Sequence, residues 1–290
     1  MSPLPTTSAA GPRSDPVAAP VERVRVTPRQ VVTDTLVLTR RNLLRNVRLP
    51  QLLLFSTVQP VMFLLLFNFV FGGAIGQAIP GDYAYIQWLM PGLVIQVATF
   101  GAGQTAIGLT EDLSKGVIDR FRSLPMARAA VLTGRTLADL FRNAAVLTIM
   151  LAVGFLIGFR YETNLLGFLA GVALALAFGY ALSWVMATIG MLVRNPEAAQ
   201  SAVFLPVFPL VFASSVFLPT QTMPDWLRVF ADNQPITVIA NALRGLMLGD
   251  AALLAGQDTA GQVLESLAWI VGITLLFGGL ATRAYRRAVS

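Results

Sequence analysis

The chain alternates long apolar stretches with short clusters of charged residues. A helix needs about 20 apolar residues to cross the hydrocarbon core of a bilayer, and six stretches approach or exceed that length. They cover residues 52–72, 89–109, 144–159, 165–192, 202–218 and 267–281. The third is short unless residues 140–143 extend it. The pattern therefore predicts an all-α membrane protein with six transmembrane helices.

Two further stretches are neither simple loops nor full spans. Residues 27–47 mix apolar and basic side chains, which is typical of a helix lying in the membrane interface. The alternative is a basic flank that only stops translocation. Residues 219–261 carry apolar pieces interrupted by polar ones, including Asp232 and Arg244. We expect this segment to form a re-entrant or interfacial helix pair before the last span.

The basic residues fall mainly on one side of the predicted spans. Six spans place both termini on the same side, and cytoplasmic loops are the ones enriched in Lys and Arg. The opposite side holds only Arg160, Arg228 and Arg244. The richer side holds Arg29, Arg40, Arg41, Arg45, Arg48, Lys115, Arg120, Arg122, Arg128, Arg135, Arg142, Arg194, Arg283, Arg286 and Arg287. We therefore predict a multi-pass protein of the cell membrane with both termini in the cytoplasm.

Composition supports the membrane assignment. Hydrophobic residues make up 55% of the 290 residues and charged residues only 12%, whereas a soluble domain is about 25% charged. The net charge of +6 follows from the cytoplasmic arginines, so we expect no nucleic-acid partner. Residues 1–28 are rich in Pro, Ser and Ala and lack an apolar run. We interpret them as a disordered cytoplasmic tail.

The sequence lacks the residues that several kinds of catalysis and ligand binding require. The chain has neither Cys nor His, which removes the commonest metal ligands and general base. A phosphate-binding P-loop needs G-x-x-x-x-G-K-[ST], and the single Lys, Lys115, follows Ser114. We expect no catalytic residues, no metal site and no cofactor bound by this chain. We also expect no charge near the middle of a span, which disfavours proton or ion relays.

The segment 110–125 has the most distinctive pattern of the predicted cytoplasmic side. Thr110 can cap a helix whose first turn holds Glu111 and Asp112. Leu113, Val117 and Phe121 would share one face of that helix, and Pro125 would end it. Such a helix can dock into a cleft of a soluble partner. The equally consistent alternative is a solvated loop whose charges only set topology.

This segment resembles the cytoplasmic loop of the ABC-2 permeases, especially the daunorubicin-resistance (DrrB-like) branch. A second stretch, from Arg194-Asn195-Pro196 onward, resembles the same family. Its Asn233-Gln234-Pro235 departs slightly from the Asn-Pro of many members. The resemblance extends over about residues 30–290 and rests on Glu111, Gly116, Asp119, Arg120, Ser123, Leu124, Pro125, Gly134, Arg135, Asp139, Arg194, Asn195, Pro196, Glu197, Ala198, Pro206, Phe212, Ser214, Ser215, Phe217, Pro219, Pro224, Trp226, Asn233, Gln234, Pro235 and Arg244.

The resemblance implies that residues 29–290 form one ABC-2 transmembrane domain with an N-terminal interfacial helix and short re-entrant helices. It implies a dimer of permeases, either a homodimer or a pair with a sister permease, bound to two ABC ATPase subunits. ATP and Mg²⁺ would be held by those ATPases. It also implies outward transport of hydrophobic or amphipathic molecules such as drugs, antibiotics, lipids or polysaccharides. The coupling residues that it implies are Glu111, Gly116, Asp119, Arg120, Phe121 and Pro125.

Two stripes of phenylalanines are candidates for a substrate path. Each stripe recurs every four residues and so occupies one helix face. In the family the first, second and fifth spans lie near the dimer interface, which places these rings near a path for an apolar substrate. The alternative is that they face lipid or pack between helices. The stripes comprise Phe63, Phe67 and Phe71 on the first span and Phe204, Phe208 and Phe212 on the fifth.

Two other classes of function stay open on the sequence alone. One is a membrane-embedded assembly or scaffold subunit without a transport path. The other is an intramembrane enzyme, which the absence of a plausible set of catalytic groups within the spans disfavours.

The arginine distribution gives a topology prediction. A reporter fused after Ser290 should be active only inside the cell, and one inserted at Asp82 only outside. Two kinds of reporter are fused at each position, one that is active only in the cytoplasm and one that is active only outside the cell, and their activities are measured. An external signal at Ser290 or an internal one at Asp82 would contradict the six-span arrangement.

Overall fold

The computed structural model describes residues 28–48, 50–80, 83–116, 128–193 and 195–289. Within these ranges the chain is helical and contains no strand. The longer helices pack against one another. The helices are α1 (Pro28–Arg48), α2 (Pro50–Leu66), α3 (Gly72–Ile75), α4 (Tyr85–Ser114), α5 (Arg128–Leu156), α6 (Leu165–Leu192), α7 (Pro196–Phe212), α8 (Asp225–Asn233), α9 (Pro235–Leu248) and α10 (Thr259–Val289).

Five helical segments of the described chain are long and apolar enough to cross a membrane. They are Leu54–Ala78, Tyr85–Ser114, Leu132–Leu156, Leu165–Leu192 and Thr259–Ala284. The fourth predicted span coincides with α6, and the all-α membrane fold is confirmed. The fifth predicted span corresponds to α7, which has only 17 residues, the lower limit for a crossing helix.

The end of α7 differs from the prediction for a physical reason. The predicted span continued to residue 218, but the helix stops at Phe212 and residues 213–218 form turns. Two carbonyls at this end accept hydrogen bonds from the Gln234 amide, at 2.9 Å for Leu210 and 2.6 Å for Ala213. Because a side chain satisfies these carbonyls, the helix can end among its neighbours without unpaired backbone groups.

Helix α4 is the centre of the bundle. It packs against α5, α6, α7 and α9, and most of its side chains are buried. Close approach is possible because small residues lie at the crossings: a Cβ on Gly92 would come within 2.3 Å of the Val216 carbonyl oxygen. By contrast, α2 and α10 expose most of their apolar side chains, so their outer faces are available to lipid or to another protein.

Glycines of the third and fourth spans have two different roles. A Cβ on Gly154 would contact the Met90 side chain, and a Cβ on Gly167 would come within 2.7 Å of the Leu246 carbonyl oxygen. Gly158, however, has φ +116° and no neighbour within 4 Å of a built Cβ. Gly154 and Gly167 therefore allow helix packing, whereas Gly158 permits the turn after α5.

Helix α1 confirms the predicted N-terminal helix. Its buried residues, among them Leu38 and Thr39, lie against the beginning of α5, where the Thr39 hydroxyl lies 3.3 Å from the Gly134 carbonyl oxygen. Val32 and Leu36 are exposed on α1. An exposed apolar face beside basic residues is typical of an interfacial helix. The predicted tail of residues 1–28 lies outside the described residues except for Pro28, which begins α1.

The predicted helix pair before the last span is present as α8 and α9. Helix α8 exposes Trp226, Val229 and Phe230, whereas nearly all of α9 is buried between α4, α6 and α10. Thr259, the first residue of α10, donates from both its hydroxyl and its backbone amide to Asp250, which lies in the turn after α9. These two hydrogen bonds hold the pKa of the exposed Asp250 carboxyl below its usual value.

Candidate functional site

The two predicted phenylalanine stripes come together in the structure. Phe63 lies 6.1 Å from Phe212 between ring centroids, and Phe217 stacks on Phe67 at 4.3 Å. At the other end, Phe204 lies 6.3 Å from Phe100 of α4. We call the resulting continuous row the phenylalanine seam; its members are Phe63, Phe67, Phe71, Phe100, Phe204, Phe208, Phe212 and Phe217.

The seam lies at the edge of the described chain. Phe204 is 51% exposed and Phe208 41%, while Phe63, Phe67 and Phe212 are half-buried. Phe100 and Phe217 were missed by the sequence analysis, because neither belongs to a repeated spacing. That these rings line a path for an apolar substrate stays a prediction.

A polar groove lies on the side of α5 that faces α4. Asp139 of α5 accepts a hydrogen bond of 2.7 Å from the Thr105 hydroxyl. Arg135 pairs with Asp112 at 3.2 Å and with Asp139 at 3.5 Å. Arg142 lies beyond them on the same helix, with its Nε 3.9 Å from an Asp139 oxygen. Acidic and basic groups therefore alternate along one helix face.

Arg142 corrects the expectation that no charge lies near the middle of a span. Its guanidinium donates a hydrogen bond of 2.9 Å to the carbonyl of Gly101, which lies near the middle of α4. The expectation failed because the third span was placed at residues 144–159, whereas the apolar helix begins at Leu132. Arg135, Asp139 and Arg142 are therefore inside the spanning helix rather than before it.

The groove continues into a smaller cavity. The groove has a volume of about 370 Å³ and lies between α1, α2, α4 and α5. The cavity, of about 90 Å³, is lined by both polar and apolar residues, among them Gln96, Arg142 and Phe100 of the seam. Residues shared by both are Ser56, Gln59, Gln104 and Arg142. A polar space thus extends from Glu111 at the end of α4 to a member of the phenylalanine seam.

A second buried arginine holds the other end of the bundle together. Arg244 of α9 is 1% exposed and its guanidinium lies 3.5 Å above the Trp88 ring. It donates hydrogen bonds to the Trp88 carbonyl, the Ser215 carbonyl and hydroxyl, and the Asn241 side chain. It therefore joins α4, the turn after α7, and α9. From the sequence, Arg244 is predicted to lie on the external side, where it interrupts an apolar stretch; its burial is not predicted.

The predicted start of the cytoplasmic helix is wrong. Thr110 does not cap a helix, because it lies inside α4 and its hydroxyl donates to the Ala106 carbonyl. Glu111 and Asp112 therefore lie in the last turn of α4, where the helix dipole disfavours a carboxylate. Lys115 offsets this, with its Nζ 3.4 Å from Glu111.

Gly116 ends the described part of this segment in a left-handed turn with φ +64°. The remaining predicted coupling residues, Asp119, Arg120, Phe121 and Pro125, lie outside the described residues, as does Val117 of the predicted docking face. Whether they form a helix stays a prediction.

These features define a class of protein. The described chain is that of a multi-pass helical membrane protein, because five of its helices are long and apolar enough to span a membrane. Inside the bundle it holds two buried arginines, Arg142 and Arg244, and a polar groove beside the phenylalanine seam. The sequence also matches the ABC-2 type transporter family over residues 33–248. The chain belongs to this family, whose members are transport permeases and not catalytic enzymes.

Individual relatives agree with the family match. The chain is 32% identical over 255 residues to the daunorubicin resistance ABC transporter permease protein DrrB1 of Streptomyces coeruleorubidus, covering 88% of this chain and 87% of that one. It is 25% identical over 260 residues to the probable doxorubicin resistance ABC transporter permease protein DrrC of Mycobacterium tuberculosis, covering 90% and 91%. The doxorubicin resistance permease protein DrrB of the same organism is 29% identical over 222 residues, covering 75% and 76%.

The Arg244 cluster makes a stability prediction. Arg244→Met keeps much of the side-chain volume but removes every hydrogen bond of the guanidinium. Each acceptor left unpaired in a buried site costs about 1–3 kcal/mol. We therefore expect a clearly lower thermal unfolding temperature of the detergent-purified protein, measured by intrinsic fluorescence.

Arg228→Met is the matched control for this experiment. Arg228 pairs with Asp232 at 3.5 Å, but both side chains are substantially exposed, and such surface pairs are worth about 0–1 kcal/mol. Equal unfolding temperatures for the two variants would show that the Arg244 cluster does not stabilise the bundle.

Proposed function

We propose that this chain is the permease subunit of an ABC exporter that moves amphipathic, drug-like molecules outward. The observation that carries the proposal is that the polar cavity, into which the groove continues, meets the phenylalanine seam at Phe100. An amphipathic molecule needs both environments, hydrogen-bonding groups for its polar part and apolar surface for its body. The drugs named for the relatives, daunorubicin and doxorubicin, suggest this substrate class.

Membership of the family implies an ABC ATPase as partner. The proposed assembly contains two ATPase subunits, which hold ATP and Mg²⁺, and a second permease, either another copy or a sister chain. The exposed apolar faces of α2 and α7 support a protein partner beside the seam. The arginine distribution supports cytoplasmic termini, and with that orientation the end of α4 and the charged mouth of the groove would lie on the ATPase side.

The proposed coupling region is the segment 111–125. In its described part, Glu111 lies in the last turn of the central helix α4 and in the wall of the polar groove; with cytoplasmic termini, this end of α4 would face the ATPase. Motion of a bound ATPase against this segment would therefore be transmitted to α4 and to the helices that pack on it. Coupling by Glu111 in particular stays a proposal, because its described ion pair is to Lys115 of the same turn.

The exporter proposal is tested by transport of doxorubicin. The permease is produced in a drug-sensitive bacterium together with its ATPase, and cell-associated doxorubicin fluorescence is measured over time. We expect lower accumulation only when both chains are present and the ATPase can bind nucleotide. An ATPase with its P-loop lysine replaced is the control. The purified permease and ATPase are also reconstituted together in lipid vesicles. If this pair gave no nucleotide-dependent transport of any amphipathic compound, a scaffold subunit without a transport path would be the preferred function.

Glu111→Gln tests coupling, since it keeps the shape of the side chain and removes its charge. If Glu111 bridges the two subunits as a partly desolvated charge pair, the loss is about 2–5 kcal/mol of association free energy. We expect normal membrane insertion, weaker ATPase association in a pull-down, and reduced efflux.

Glu265→Gln is the matched control, because Glu265 is an exposed carboxylate near the other end of the spans. It should leave both association and efflux unchanged. If association and efflux are also unchanged in Glu111→Gln, the charge of Glu111 has no role in coupling to the ATPase.

A further inference from the structure

We propose that the cavity between α2, α4 and α5 binds the hydroxyl-bearing polar end of the transported molecule, while its apolar body lies along the phenylalanine seam. This inference rests on the exporter function proposed above and adds a specific subsite within one permease. It assigns the recognition of the polar end to Gln96 and Arg142.

Two buried polar atoms carry this inference. Gln96 is 2% exposed and Arg142 9%, and both line the cavity. Gln96 Oε1 and Arg142 Nε have no hydrogen-bond partner among the described residues. A buried polar atom without a partner costs about 1–3 kcal/mol. Within the described parts of α4 and α5, these two are the fully buried side-chain atoms without a partner, and a ligand that supplied the missing hydrogen bonds would offset the cost.

The unpaired atoms indicate the chemistry of the ligand. Gln96 Oε1 accepts a hydrogen bond, whereas Arg142 Nε–H donates one. Arg142 Nε lies 3.9 Å from Asp139, too far for a hydrogen bond but near enough to offset the charge. The cavity therefore does not demand an anion. A hydroxyl group, which donates and accepts at once, suits both atoms, and Asn143 and Gln104 add further amide groups to the wall.

Size and position restrict the ligand further. A volume of about 90 Å³ admits several waters or a polar group of a few non-hydrogen atoms, but no complete drug-sized molecule. Among the described residues that line the cavity, the one aromatic ring is that of Phe100, which also contacts Phe204 of the seam. A molecule whose polar end occupies the cavity would therefore place its apolar body against the exposed rings of α7.

The test compares two cationic probes that differ in hydrogen bonding. Doxorubicin carries hydroxyl groups, whereas tetraphenylphosphonium carries no hydrogen-bonding group. Binding of each is measured on the purified permease–ATPase complex in lipid nanodiscs without nucleotide, by fluorescence for doxorubicin and by equilibrium dialysis for tetraphenylphosphonium. We expect Gln96→Leu to weaken doxorubicin binding about three- to ten-fold and to leave tetraphenylphosphonium binding unchanged.

Two further variants sharpen the comparison. Arg142→Lys retains the charge beside Asp139 but removes Nε, and should weaken doxorubicin binding at least about ten-fold, since hydrogen bonds to charged groups are stronger. Gln262→Leu is the matched control: Gln262 on α10 also has a buried Oε1 without a partner among the described residues, but it does not line the cavity. It should bind both probes as the unmodified protein does.

The possible outcomes separate this inference from the exporter proposal. Selective loss of doxorubicin binding supports the subsite even if the complex transports neither probe, which would contradict only the exporter function. Unchanged doxorubicin binding in both Gln96→Leu and Arg142→Lys would show that water alone occupies the cavity. Equal weakening by Gln96→Leu and Gln262→Leu, or no doxorubicin binding by the unmodified complex, would also overturn the subsite.

Discussion

A polar group buried inside a membrane protein must find its partner within the protein, because no bulk water reaches it. The described chain obeys this constraint with few side chains. Gln234 satisfies the carbonyls at the broken end of α7, and Arg244 satisfies those of Trp88 and Ser215. These two residues allow a helix to end and a short helix to enter the bundle. Without them, the irregular segment between α7 and α9 would leave unpaired backbone groups beside the central helix.

The same constraint makes the exceptions informative. Arg142 is buried, as Arg244 is, yet its Nε has no hydrogen-bond partner among the described residues, and neither has the side-chain oxygen of Gln96. The difference is that Arg244 is enclosed by protein, whereas Arg142 lines a cavity that continues into an open groove. One arginine therefore serves packing and the other faces a space that a ligand can enter. Burial alone does not distinguish them; the distribution of hydrogen-bond partners does.

Hydropathy predicted the spans well because a helix that crosses the hydrocarbon core is apolar over about 20 residues, whether it faces lipid or, like α4, other helices. It misjudged the third span, since Arg135, Asp139 and Arg142 face α4 rather than lipid and a linear pattern does not record that direction. It also misread Thr110, Glu111 and Asp112, because the same residues suit a helix start and a helix end. The phenylalanine stripes were visible as spacings, but Phe217 joins them through the break in α7, which only the folded chain reveals.

The position of α2 links the groove to the proposed transport cycle. Helix α4 is enclosed on most sides, whereas α2 exposes most of its surface and touches α4 and α5 sparingly. A helix with so few contacts is less costly to displace than the enclosed central helix. Both the polar cavity and the inner rings of the seam lie beside α2. Gln59 of α2 lines the cavity, and Phe63 of α2 contacts Phe212 of α7. A small separation of α2 from α4 would therefore widen the polar and the apolar parts of the path together, which is the change that an amphipathic substrate requires.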